Sequence, residues 1–343
     1  MNRKISYICN FGLMIYVFFS FGQFANAETP KLKSTEVDFF DQASQRPAKV
    51  KFWYQAATNI CEGKICLRQS QNKHKVAVIS HGAFGSPHEM SWLGYALASQ
   101  GWLVAGVAHF GESWVYGTET IDPSVVSKFW QRPQEVSFVI DSLSEKGIFN
   151  LTLQTNNILM FGHSSGGFTA LAMAGAKLEA GKSEAYCSSA ESKGDKGCDY
   201  GSQRKVPSLN DDMLKKIGSL QAQMQDSRIR AVIALDPALG HAVSESSLKG
   251  IKTPTLIIGS VDNDFLPFTR HAKYYAEQLQ NAELIGVEQG AGHFIYLNEC
   301  DYNREVKGVP LCKDREGVNR HLIQKELLNQ VFTFIYSKGL NEI

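Results

Sequence analysis

The stretch from Asn157 to Gly175, NILMFGHSSGGFTALAMAG, decides how this 343-residue chain is read. The apolar run Ile158 to Phe161 has the continuous hydrophobicity of a strand buried on both faces, and the small and apolar residues after Ser165 read as a helix. Between them lies Gly162-His163-Ser164-Ser165-Gly166. A serine on a sharp turn between strand and helix has its hydroxyl lifted clear of the sheet. The backbone tolerates that turn only if the residues two before and two after carry no bulky side chain. Gly162 and Gly166 meet this condition, and Gly167 adds a small residue where the new helix must pass close to the sheet. The bland alternative is a turn serine with no chemistry, but strand and helix signals both fall where an activated serine requires them.

Outward from this stretch, strand signals occur at Lys75 to Ser80, Trp102 to Ala108, Arg230 to Leu235, Thr255 to Ser260 and Glu283 to Glu288. Helical patterns cover Pro87 to Gln100, Arg132 to Lys146, Pro267 to Gln280 and Asn319 to Tyr336. Two short alternating runs, Glu36 to Phe40 and Lys49 to Tyr54, read as antiparallel opening strands at the sheet edge. The repeated order of strand and helix predicts an α/β fold, a mostly parallel sheet with helices on both faces. No internal repeat or low-complexity linker divides the chain, so residues 28–343 are expected to form one domain. The segment of about 181–227, rich at first in Gly, Ser, Lys and Asp, interrupts the alternation. It reads as an inserted cap over a site, or as a solvated excursion.

GHSSG in this setting resembles the nucleophile elbow of the α/β-hydrolase family. With Ser80-His81-Gly82, the LDPALG segment and GAGHF, the chain from Lys75 onward is similar to bacterial exported proteins described as predicted dienelactone hydrolases. It is more distantly similar to the platelet-activating factor acetylhydrolases. True dienelactone hydrolases use a cysteine where this chain has Ser164, so diene lactones are not the expected substrate. The resemblance implies the chain order nucleophile, acid, histidine, and places the base at His293 in GAGHF after the last strand. A serine hydroxyl needs such a neutral imidazole to take its proton, and the imidazole needs a carboxylate to fix its tautomer. The usual family position for the acid is Asp262, after LIIGSVD. Asp236, ending IALD one strand earlier, matches the acetylhydrolase arrangement, and Asp264 is a third candidate. Asp236 also reads as part of an Asp-Pro turn and Asp264 as a helix cap. The resemblance further implies an oxyanion hole from the backbone N–H groups of Ala83 and Ser165. His81 is read as a structural residue ordering its loop. The aromatics Trp114, Tyr116, Phe129 and Trp130 read either as an apolar pocket or as ordinary core.

Arg3 and Lys4, an apolar stretch strongest from Phe11 to Phe21, and Ala25-Asn26-Ala27 follow the order of a secretory signal peptide, with cleavage expected after Ala27. The alternative is an uncleaved anchor, which would be the chain's contact with a membrane. Beyond Cys9 six cysteines fall into near pairs, Cys61 with Cys66, Cys187 with Cys198 and Cys300 with Cys312. In an exported chain these read as three disulfides; a zinc site is disfavoured by the absence of CxxC spacing and of an accompanying histidine cluster in the sequence. A net charge of +1 with scattered lysines and arginines argues against a nucleic-acid partner. The expectation is a periplasmic or secreted serine hydrolase acting on a small-molecule ester or lipid-like substrate through an acyl-enzyme, with no cofactor and no metal. A thioesterase, lipase, amidase or polyester hydrolase would use the same residues. A binding protein on the same fold is the rival from another class.

Overall fold

The computed structural model describes residues 30–69, 75–144, 147–200, 211–301 and 303–341. The expected signal segment and its cleavage point lie outside the described residues, as does 201–210 within the expected insertion.

Eight strands make one sheet: β1 (Lys31–Asp41), β2 (Arg46–Ala56), β3 (Lys75–Ser80), β4 (Trp102–Ala108), β5 (Ile158–His163), β6 (Ile229–Leu235), β7 (Thr255–Ser260) and β8 (Ala282–Val287). Their order is β1-β2-β4-β3-β5-β6-β7-β8. The hairpin β1–β2 joins β4 antiparallel, and β3 to β8 are parallel throughout. β4, β5 and β7 are buried at every residue, as expected of strands covered on both faces. The edge strands β1 and β8 are largely exposed and carry charged residues, which discourages edge-to-edge pairing.

Successive residues of each central strand enter opposite faces. Val76, Val78, Ile158, Met160, Val232 and Ile257 pack on one side and Ala77, Ile79, Leu159, Phe161, Ile233 and Ile258 on the other. The helices are α1 (Ser91–Ser99), α2 (Gln131–Leu143), α3 (Ser165–Ala174), α4 (Lys182–Cys187), α5 (Asp211–Ala222), α6 (Glu245–Gly250), α7 (Ala272–Gln278) and α8 (Arg320–Ser337). α2, α3 and α7 cover the first face through Val139, Leu171 and Tyr275; α1 and α8 cover the second through Leu97 and Phe334. Gly94 of α1 and Gly106 of β4 both lie against the Trp53 ring, where a Cβ would clash. A single tryptophan thereby fixes how close α1 approaches the sheet.

Two expected helices are interrupted. Pro87–Met90 is a 3-10 turn whose capping box joins Ser86 and Glu89, and α1 begins only after it. The span Pro267 to Gln280 breaks at His271, where the side chain turns inward to Asp195, 2.8 Å away. The disulfides join Cys61–Cys66, Cys187–Cys198 and Cys300–Cys312, the expected neighbours. They are consistent with an extracellular or periplasmic protein. Among the described residues no helix is long and apolar enough to cross a membrane.

Candidate active site

The turn between β5 and α3 holds Ser164 at φ 56° and ψ −119°, a conformation that L residues rarely adopt. Its amide donates to Leu235 O at 3.0 Å, and its carbonyl accepts from Phe168 and Ala238, so the strained residue is tied from both sides. A Cβ on Gly162 would collide with the carbonyl of Gly166, and one on Gly166 with the carbonyl of Ser80. Both glycines are therefore demanded by close backbone approach.

Ser164 opens into a cavity of about 960 Å³ lined also by Ala83, Ser165 and His293. Among the described residues, the amides of Ala83 and Ser165 donate to no protein acceptor. The loop that carries Ala83 is held by its carbonyls. Arg132, from α2, donates to His81 O at 2.7 Å and Gly82 O at 3.2 Å, and pairs with Glu112 in a buried ion pair. With the carbonyls of His81 and Gly82 turned toward the guanidinium, the Ala83 amide is left for a ligand. His81 accepts from the His109 amide at Nε2 and donates from Nδ1 to Gly82 O. This is the loop-ordering part expected of it.

Behind the loop, Ser80 Oγ, His109 Nε2, His109 Nδ1 and Glu135 Oε2 form a relay with contacts of 2.8 and 2.7 Å. Ser80 is fully buried and borders no part of the cavity, so this serine has no access to substrate. The relay fastens the ends of β3 and β4 to α2.

His293 starts the 3-10 turn His293–Tyr296 and is 1 % exposed. The turn is anchored from α8, where Gln324 donates to the carbonyls of Ile295 and Leu297. It is anchored also by His163, which donates from Nε2 to His293 O at 3.0 Å. His163, the residue before the nucleophile position, was not singled out from the sequence; a polar side chain ending a fully buried strand was the available signal. Phe265 stacks on the His293 ring at 5.1 Å. Burial lowers the His293 pKa to about 3, so the ring is neutral and able to accept a proton at neutral pH.

The carboxylate beside His293 is that of Asp236, not the expected Asp262. Asp236 follows β6 with φ +40° and is 2 % exposed. Its Oδ1 accepts the Ser260 amide at 2.8 Å, and its Oδ2 lies 3.3 Å from His293 Nδ1. The contact has the distance of an ion pair without good hydrogen-bond alignment, since Oδ2 has no bonded partner by angle. Such contacts commonly tighten once substrate is bound. Burial raises the Asp236 carboxyl to about 7. Asp262 is exposed, and among the described residues only its carbonyl is engaged, by Arg315. Asp264 reaches the base loop through the backbone: Oδ1 accepts the His293 amide and Oδ2 pairs with Arg315, both at 3.0 Å. Both loops end parallel strands, and only the folded path shows that the β6 loop turns inward while Asp262 points to solvent.

Of the aromatics considered, Phe129 lines the cavity, joined by Phe168, Phe265 and Phe294. Tyr116 instead bonds the β2 amide of Lys49 and the carbonyl of Ala108, and Trp130 packs on Phe129. Residues of the insertion from Gly181 to Asp199 form one wall of the cavity.

No family model and no curated protein matches the sequence. Among solved structures, a ferulic acid esterase from Streptomyces cinnamoneus superposes with a TM-score of 0.56 at 18 % identity, over 90 % of each chain. This chain has the α/β-hydrolase fold. Because 518 solved chains share the likeness, it selects no substrate.

Proposed function

We propose that the protein is a serine hydrolase cleaving carboxylic esters through an acyl-enzyme. The observation that carries this reading is the convergence on one cavity of a strained serine, two unengaged backbone amides, and a buried neutral imidazole backed by a carboxylate. Ser164 Oγ attacks the acyl carbon while His293 takes its proton. The carbonyl oxygen becomes an anion held by the Ala83 and Ser165 amides, and His293 returns the proton to the leaving alkoxide. Water, deprotonated by His293, then attacks the acyl-enzyme and releases the acid. Asp236 keeps the His293 tautomer with its free lone pair toward Ser164 and stabilises the transient imidazolium. An acid placed after β6 is the arrangement implied by the resemblance to the platelet-activating factor acetylhydrolases.

The phenylalanines in the cavity wall favour an aromatic or bulky apolar acyl group. The wall from Gly181 to Asp199 is read as a cap that excludes water, and the disulfides support action outside the cytoplasm. A fluorophosphonate probe tests the reading. Labelling of the wild type that disappears in Ser164→Ala is expected; an unlabelled wild type, or labelling that persists in the variant, overturns it.

A further inference from the structure

Asp195, His241 and His271 have no part in the proton relay, yet all three line the cavity and are 4, 7 and 1 % exposed. They come from three separate segments. Asp195 lies in the loop closed by Cys187–Cys198, His241 in the turn Gly240–Ala242 after β6, and His271 at the break before α7. Asp195 Oδ2 is 2.8 Å from His271 Nε2 and 3.7 Å from His241 Nδ1, and one donor atom from each residue lies within 4.8 Å of the other two. Asp195 Oδ1 is held by the Gly197 amide, which fixes the direction of the carboxylate.

His241 Nδ1 is buried without a hydrogen-bond partner. Its other nitrogen, Nε2, is 3.3 Å from Ser183 Oγ, which can accept the ring proton. That tautomer leaves the Nδ1 lone pair facing a carboxylate and a second imidazole, an arrangement that a shared cation would relieve. Donors about 2.0 Å from a tetrahedral zinc ion lie about 3.3 Å from one another. The two separations, 2.8 and 3.7 Å, fall on either side of that value.

We propose that Asp195, His241 and His271 form a three-ligand site for a divalent ion of the zinc class, with the fourth position open to the cavity. Two nitrogens and one oxygen suit zinc or cobalt, whereas calcium and magnesium take oxygen donors. Binding at His271 Nε2 puts that ring's proton on Nδ1, opposite the Gly240 amide 3.4 Å away. Giving up this long contact makes the expected affinity micromolar rather than that of a closed structural site. The bound ion would staple the disulfide-closed loop to the two body loops that flank it, whichever bond Ser164 cleaves.

Full-length protein stripped with a chelator is titrated with zinc chloride by calorimetry and with cobalt chloride by visible absorption. One ion per chain is expected, with a strong d–d band of four-coordinate cobalt. At a free zinc concentration about a hundred times Kd, the midpoint of unfolding should rise by about 5 °C. His241→Ala and Asp195→Asn should each weaken binding about 100-fold or more. Should either variant fail to fold, the wild-type stoichiometry and cobalt spectrum decide. Absence of binding by the wild type, a weak six-coordinate cobalt spectrum, or unchanged affinity in folded variants overturns the proposal.

Discussion

Exchanging Asp236 for asparagine should cost far more activity than the same exchange at Asp262. The Asp236 carboxylate is 2 % exposed, is fixed by the Ser260 amide, and faces His293 Nδ1 at 3.3 Å. In Asp236→Asn the amide presents either an N–H that competes for Nδ1 or an oxygen with no charge to stabilise the imidazolium. The wrong tautomer then turns a protonated nitrogen toward Ser164. Losses of about 10⁴-fold in kcat are typical when a buried triad carboxylate is made neutral. The contact is less well aligned than an ideal hydrogen bond, so we expect about 10³-fold to 10⁴-fold, or about 4 to 5.5 kcal/mol of barrier. Asp262→Asn alters an exposed side chain whose residue is held only through its carbonyl, and should stay within about twofold, as surface substitutions do. Asp264→Asn keeps one oxygen for the His293 amide but loses the charge paired with Arg315, and should fall between the two. The assay is kcat/KM on an aryl ester for the three variants, with circular dichroism and the unfolding midpoint checking the fold. The reasoning fails if Asp262→Asn loses as much as Asp236→Asn, or if a folded Asp236→Asn keeps more than about a tenth of wild-type activity.

Other expectations follow from the same geometry. Burial keeps the His293 ring neutral as pH falls, but it also raises Asp236 to about 7. A protonated Asp236 is as uncharged as the asparagine variant, so the acid limb of kcat/KM should lie near pH 7; a limb well below about pH 6 in a pH profile contradicts this. Stability behaves differently. Burial lowers the pKa of His81, His109, His163, His241 and His293, so these rings gain protons only on unfolding as pH drops below about 6.5. Burial also raises Glu135 and Asp236 to about 7, so these two carboxyls hold protons in the folded state that unfolding releases. The net uptake of about three protons predicts a stability loss of about 4 kcal/mol per pH unit between roughly pH 6 and 5, measurable by urea unfolding; a flat profile there refutes the balance. Arg132→Met removes the two bonds to the loop carbonyls and leaves Glu112 buried and unpaired, and should destabilise by about 3 to 5 kcal/mol while lowering kcat. Gly166→Val, which drives a side chain into the Ser80 carbonyl, should leave little folded protein in a solubility and circular dichroism assay.

Much of the fold is legible because its parallel strands are fully buried and therefore read as unbroken apolar runs. β3, β4 and β7 have the expected ends, and β5 and β6 differ by a few residues at most. Helix ends were less legible where side-chain contacts redirect the chain: nothing local marks His271 as the residue that turns toward Asp195 and stops the helix. At the candidate site, Gly162, Ser164 and Gly166 declare themselves because steric demand on the elbow leaves a glycine pattern. His293 is marked by its place after the last strand. The acid had no such mark. Three aspartates end or follow adjacent strands, and their separation rests on loop paths set by the Ser260 amide and Arg315, contacts distant in sequence. His163 and Arg132 were missed for the same reason, since each acts on a carbonyl that no pattern of residue types reveals.

In the proposed reading the acid, Asp236, follows the strand beside the elbow, so the segment after β7 supplies no carboxylate to the proton path. That segment supports the base, with Asn263 Nδ2 3.4 Å from His293 Nδ1 and Asp264 accepting the His293 amide. Phe265 and Leu266 instead furnish the cavity, held by Asn263 through their amides. Phe265 stacks on His293, whereas Leu266 lines the cavity beside it, so preference among acyl groups is free to diverge at Leu266 ahead of the reacting groups themselves. Libraries randomised at Leu266 should therefore yield altered selectivity far more often than dead enzyme, whereas those at Phe265 should also disturb the base.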